Sequence, residues 1–254
     1  MHDMGVSNIS KLVMQKLEDE FKGLSFRHRA SITKREINSV LQGLDSELGR
    51  TLFIQSSKIK PDGGIIEVKD DERNWRVILI TEAKYQGKDI ENIQKGILVG
   101  KDSNQDLMQA GNAIERAYKN LKWLILCSKN CIFLNILFLE GSNFLTQTIS
   151  VKRPDGRVVT LEYSSGVLNR LDKLTAANYG MPVNQNLCQN KFIPYRDRTI
   201  MLQATSIYTQ GDGQRWDLNK MFEVMFEAAK TSLRVLGSSL FNQIVGKNNV
   251  KKSD

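Results

Sequence analysis

With 254 residues, 41% of them hydrophobic and 25% charged, the chain can bury a core and is too apolar to be disordered. A formal charge of +8 and a pI near 9.3 suit a polyanionic partner. Three cysteines in unrelated contexts (Cys127, Cys131, Cys188) and only two histidines (His2, His28) exclude a Cys/His zinc cluster and fit a reducing cytoplasm. The most apolar run, 123–139, is broken by Ser128-Lys129-Asn130 and Asn135, so no membrane partner is expected.

In chain order, apolar residues at helical spacing (Val6, Ile9, Leu12, Val13, Leu17, Phe21) predict a helix over 6–21, and a Ser31/Thr33 start signal predicts a second over 34–44. Strands are predicted at 51–55, 64–69 and 75–81, followed by a long polar, glycine-containing stretch over 86–106 and a helix opening near Asn112. A buried strand is expected at 132–139, and strand-like pieces at 148–152 and 157–162 flank Pro154-Asp155-Gly156. A helix over 167–177 stops at Asn178-Tyr179-Gly180, residues 201–209 alternate weakly, and a long helix is predicted over 216–245. Strands mixed with helices indicate an α/β fold, an α/β/α sandwich around a central mixed β-sheet, in a single domain over 1–254.

Two strings carry the chemistry. Pro61-Asp62-Gly63 lies in a turn, and Glu82-Ala83-Lys84 follows an apolar strand. The intervening strands form a hairpin that returns Glu82 to Asp62, and Glu82 and Lys84, two residues apart, share a strand face. Two carboxylates with open positions suit Mg²⁺, which keeps several waters and completes its shell from phosphate. A lysine beside that shell can orient or deprotonate the attacking water. The combination is that of a metal-dependent phosphodiester hydrolase. The second Pro-Asp-Gly string, at 154–156, is followed by no Glu-x-Lys, and reads as a hairpin turn alone.

Longer blocks carry a resemblance: SSKIKPDGG at 56–64, TEAKYQGKD at 81–89, AGNAIER at 110–116, FLEGSNFL at 138–145, LTAANYGMP at 174–182 and SIYTQGDG at 206–213. The chain resembles the EcoRI-type type II restriction endonucleases of the PD-(D/E)xK nuclease superfamily, almost without gaps from Val6 to Phe241. The resemblance implies a restriction-endonuclease-like fold and a Mg²⁺-dependent homodimer that cleaves both strands of double-stranded DNA at a palindrome, GAATTC or a close variant. It also implies a cognate DNA methyltransferase in the host. It makes Asp62 and Glu82 the metal ligands and, with Lys84, the catalytic set. An inactive or weakly active DNA-binding relic of such an enzyme is the alternative reading.

The same resemblance places the helix opening at Ala110, Gly111, Asn112 and Ala113 with its N-terminal end in the DNA major groove. Asn112 has the donor and acceptor that adenine N6/N7 requires, Arg116 lies one turn on, and Glu115 holds the guanidinium. Met108 corresponds to an apolar contact with the outer base pair, and Gln86 to a further base contact. Lys60, Lys88 and Lys119 suit phosphate positioning, and Arg170 matches an arginine near the DNA.

The chain departs from the family pattern at several places. Gln109 stands where the family has Ala, beside Met108 at the outer base pair. Tyr85 replaces a His next to Lys84, on the opposite strand face. Lys173 replaces an Arg, exchanging a fork for a point charge. The N-terminal DNA-gripping arm is expected to be shortened. From Leu121 to Asn135 the resemblance lapses, with length preserved, and resumes at Ile136. Permitted codons for that run, read one base earlier, give a string like the family's amphipathic segment, as a compensated pair of frameshifts would leave.

Overall fold

The computed structural model describes residues 2–44, 46, 57–85, 88–97, 134–141, 145, 148–161, 190–195, 198–203, 205–209 and 213–236. Helix α1 (His2–Glu20) puts Val6, Ile9, Val13 and Leu17 on one buried stripe, each at most 5% exposed. Leu12 lies about a quarter turn off that stripe and is exposed, so it does not join the core as its spacing suggested. Strand β1 (Phe26–Arg29) follows, then the short strand β2 (Ile32–Thr33) and helix α2 (Lys34–Leu44), which has the predicted bounds. Its start is a capping box. Thr33 Oγ1 accepts the Glu36 N–H at 3.2 Å, and Glu36 Oε2 accepts the Thr33 N–H at 2.9 Å.

Strands β3 (Lys58–Ile59), β4 (Gly64–Lys69) and β5 (Trp75–Tyr85) come next, then a short helix α3 (Asp89–Gln94) and strand β6 (Leu134–Glu140). Strands β7 (Ile149–Lys152) and β8 (Val158–Leu161) form a hairpin across the second Pro-Asp-Gly string, closed by an Arg153 N–H donated to the Arg157 carbonyl at 2.8 Å. That string is the plain turn expected of it. Strands β9 (Asn190–Tyr195) and β10 (Arg198–Gln203) pair with each other, and β11 (Thr205–Thr209) and helix α4 (Leu218–Leu236) complete the described elements. The alternation over 201–209 therefore spans two strands in different sheets rather than one. The predicted strand at 51–55, the helices expected from Asn112 and over 167–177, and most of the 121–135 run lie outside the described residues.

The fold is α/β, with a mixed central sheet of strand order β1-β4-β5-β6-β11. β1, β4 and β5 are antiparallel neighbours; β6 and β11 run parallel to β5. Helices α1 and α4 pack against one face, burying Ile66, Val68, Ile136, Phe138 and Tyr208 of the sheet against Met221, Met225, Ala229 and Leu233 of α4. The opposite face is buried too, with Ile65, Ile80, Leu137 and Leu139 at most 2% exposed. Parallel strands covered on both faces read as continuous apolar runs, which is how β6 appears in the sequence.

One irregularity sets the orientation of β5. The β4–β5 register steps from Glu67↔Val77 to Ile66↔Leu79, leaving Ile78 as an extra residue. Ile78 and Leu79 both enter the α1–α4 core, and beyond them alternation resumes. Ala83 faces that core; Ile80, Glu82 and Lys84 face the other way.

Candidate active site

The Pro61–Gly64 turn is laced to the end of β5 through backbone and side chain. The Gly64 N–H closes the turn on the Pro61 carbonyl at 3.0 Å, and the Gly63 N–H reaches the Thr81 carbonyl at 2.9 Å. Two glycines are needed here. A Cβ on Gly63 would lie 2.7 Å from Thr81 Cβ, and Gly64 has a φ of +76°. Asp62 donates its backbone N–H to Glu82 Oε2 at 3.0 Å, and its own Oδ2 accepts the Ala83 N–H at 3.2 Å. The turn and the strand therefore position each other's carboxylates.

Lys84 completes the cluster. Its Nζ lies 2.6 Å from Asp62 Oδ2 and 2.6 Å from Glu82 Oε1, and it also donates to the Ala83 carbonyl at 3.1 Å. The structure thus brings Asp62, Glu82 and Lys84 together, with both carboxylates converging on one cationic centre. Glu82 is wholly buried, while the side chains of Asp62 and Lys84 are 17% and 20% exposed, so the cluster opens to solvent on the Asp62 and Lys84 side. Burial pushes the Glu82 carboxyl above its ordinary value; Lys84 pulls against that rise and the Asp62 charge adds to it. For Lys84, burial opposes the ammonium, but Glu82 and Asp62 outweigh it and hold its pKa above the usual lysine range. In this arrangement Lys84 keeps its positive charge between the two carboxylates.

The donor set fits a hard divalent cation. Two carboxylates share one positive centre, and a backbone carbonyl, that of Ala83, turns toward the same point. Among the described residues no cluster of three or more His, Cys, Asp or Glu side chains forms a closed metal cage. Asp62 and Glu82 would hold such an ion with positions left for water and phosphate.

Of the other expected site residues, Lys88 is exposed and immediately precedes α3, and Lys60 is exposed just before the turn. Gln86, Met108, Gln109, Ala110, Gly111, Asn112, Ala113, Glu115, Arg116, Lys119, Arg170 and Lys173 lie outside the described residues. Tyr85 does take the face opposite Lys84. Its hydroxyl donates to Glu91 Oε1 of α3 at 3.1 Å, and the Arg215 guanidinium stacks 5.0 Å from its ring centre. Sequence reasoning missed Glu91 and Arg215, which are distant or helical neighbours with no motif of their own. It also missed His28, whose Nε2 lies 2.9 Å from the Gly63 carbonyl. A lone histidine in the charged string Phe26-Arg27-His28-Arg29 carries no signal of that contact.

The family model described as Restriction endonuclease EcoRI matches residues 1–243. The chain is 61% identical over 247 residues to "Type II restriction enzyme EcoRI" of Escherichia coli, covering 97% of this chain and 89% of that protein. It is 44% identical over 242 residues to "Type II restriction enzyme RsrI" of Cereibacter sphaeroides, covering 94% and 86% respectively.

Proposed function

The chain belongs to the EcoRI restriction endonuclease family, and we propose that its single domain works as a homodimer that cuts GAATTC or a close variant, with Mg²⁺ held by Asp62 and Glu82. As a member of that family it is a type II site-specific deoxyribonuclease acting on double-stranded DNA. The observation that carries the metal-dependent reading is the convergence of both carboxylates on the Lys84 ammonium at 2.6 Å each.

Asp62 and Glu82 would hold a divalent ion, which would supply Lewis-acid polarisation of the scissile phosphate and a more acidic attacking water. Lys84, held charged, orients the attacking water and offsets negative charge gathering on the phosphate oxygens. The buried Glu82 is locked by the Asp62 N–H, so its geometry is set before DNA arrives. In-line attack leaves a 5′-phosphate and a 3′-hydroxyl. A twofold dimer suits a palindrome because each subunit meets an identical half-site. Recognition is assigned to Gln86, Met108, Gln109 and the segment Ala110–Arg116, on the family resemblance alone. Lys60, Lys88 and Lys119 are assigned to phosphate positioning, and Arg170 and Lys173 to positions near the DNA on the family resemblance. The net charge of +8 supports an anionic partner. No described helix is long and apolar enough to cross a membrane, and we place the enzyme in a bacterial cytoplasm, where a companion methyltransferase shields the host genome.

The test is a plasmid with one GAATTC site, incubated with Mg²⁺ and with wild-type protein or the Glu82→Gln variant. Linearisation by the wild type alone, with ligatable ends, is expected. Binding of the site without cutting would mark a relic, and cutting at every sequence would remove the site-specific assignment. Sedimentation of the protein with and without a GAATTC duplex tests the dimer.

A further inference from the structure

The Asp62 turn has an inherent weakness. Its last two residues, Gly63 and Gly64, carry no Cβ to restrict the backbone, so hydrogen bonds rather than local sterics must fix it. One side is held by β5, through the Gly63 N–H to the Thr81 carbonyl. The other side is held by His28 of β1, whose Nε2 lies 2.9 Å from the Gly63 carbonyl. A carbonyl can only accept, so Nε2 is the protonated nitrogen of the ring. His28 is paired in register with Ile66, two residues beyond Gly64, and its imidazole reaches back along β4 to cover the turn. A Cβ on Gly64 would lie 2.4 Å from His28 Nε2, so the ring rests directly on the glycine backbone.

We propose that His28 is a positioning residue for the candidate metal site: by donating Nε2–H to the Gly63 carbonyl it holds the Asp62 carboxylate where it can share a divalent cation with Glu82. The assignment rests on the metal-holding reading of Asp62 and Glu82. Asp62 sits in a turn outside the sheet, whereas Glu82 is embedded in a central strand. Loosening the turn therefore displaces the Asp62 carboxylate and the N–H that locks Glu82, while the β5 backbone stays in place. Outer partners that orient metal ligands in this way commonly govern metal affinity more than the chemistry itself.

The test compares full-length wild type with His28→Phe, which fills the ring volume without an N–H, and His28→Gln, which restores an N–H donor. Mn²⁺ binding to the DNA-free protein is measured by calorimetry, and the Mg²⁺ dependence of GAATTC cleavage is resolved into half-saturation and maximal rate. The Phe variant is expected to bind Mn²⁺ about 10-fold or more weakly and to need correspondingly more Mg²⁺, with the Gln variant within about 3-fold of wild type. Its maximal rate at saturating Mg²⁺ should stay near that of wild type. A Phe variant that binds Mn²⁺ like the wild type, or a Gln variant as impaired as the Phe variant, overturns the assignment. Wild-type protein that takes up no Mn²⁺ overturns the metal-holding reading itself, and with it this role. Wild-type uptake unaffected at His28 overturns this role alone.

Discussion

Lys84 Nζ and Glu82 Oε1 stand 2.6 Å apart on one face of β5, the carboxylate wholly buried and the ammonium reaching solvent. The ammonium occupies the point where the Glu82 and Asp62 oxygens converge, which is also where a divalent ion would bind. Lysine and a divalent ion would therefore contend for the same oxygen atoms before DNA is bound.

That competition predicts an unusual behaviour of Lys84→Ala. The variant should bind Mn²⁺ at least as tightly as wild type, yet cleave about 10²- to 10⁴-fold more slowly for want of the group that orders the attacking water and offsets phosphate charge. Calorimetric titration with Mn²⁺ and single-turnover cleavage at saturating Mg²⁺ measure the two effects separately. Weaker Mn²⁺ binding by the variant would show that the lysine supports the ion rather than contending with it.

The raised pKa of Glu82 has a consequence for stability. A carboxyl whose folded pKa exceeds its unfolded one stabilises the fold when protonated, and that contribution is lost as pH rises through the folded value. Above that folded value the wild type carries a buried charge that Glu82→Gln lacks. The variant should melt higher by roughly 2–4 °C for each ~1 kcal/mol gained, while losing cleavage. Below the ordinary glutamate value of 4.5 both states of the wild type are protonated, and the advantage should vanish. Thermal melts of the two proteins from pH 4 to pH 8 decide it; a difference that grows toward acid pH would contradict the argument.

Two glycines with similar backbone angles should respond differently to alanine. Gly64 (φ +76°) would place a Cβ 2.4 Å from His28 Nε2 and 2.8 Å from the Arg29 carbonyl, whereas Gly156 (φ +89°) opens onto space with nothing within 4 Å. Gly156→Ala incurs backbone strain alone, about 1 kcal/mol. Gly64→Ala adds a steric clash and should cost about 3 kcal/mol. Urea midpoints at constant slope give both figures, and equal losses would mean the His28 ring yields freely.

Trp216, just before α4, ties that helix to β6. Its Nε1–H reaches the Leu139 carbonyl at 3.1 Å, and its ring meets Phe138 and Tyr208 at 5.1 and 6.0 Å. Trp216→Phe keeps most of the ring contact and should lose about 1 kcal/mol with the hydrogen bond. Trp216→Ala should lose about 3 kcal/mol. A melting series separates the two; a Phe variant as unstable as the Ala variant would place the weight on the hydrogen bond.

Much of the fold is legible in the sequence. β4 and α2 have their predicted bounds because a buried strand and a Thr-x-x-Glu capping box are both local signals. β5 runs on to Tyr85, past the predicted end at Thr81, because its last residues pair with β6, more than fifty positions away. The strand face expected for Glu82 and Lys84 is the one sign of that extension; the run holds too little apolar character to carry the strand to Tyr85 by itself. β1 escaped notice for a related reason. It contains one apolar residue, Phe26, and is held by Arg27 set directly across from the buried Glu67, a charge pair that leaves no hydrophobic alternation. The candidate site was legible as a set because Asp62, Glu82 and Lys84 lie on either side of one hairpin. The support from His28 was not, because it comes from a neighbouring strand through a backbone carbonyl.

The extra residue at Ile78 has an effect out of proportion to its size. Strand side chains keep a strict two-residue period, so inserting one position reverses everything downstream. Excising Ile78 would swing Glu82 and Lys84 toward the hydrophobic layer beneath α1 and α4, and bring Ala83 outward in their stead. The facing of the candidate site is here decided four positions upstream of Glu82, by an isoleucine outside the cluster.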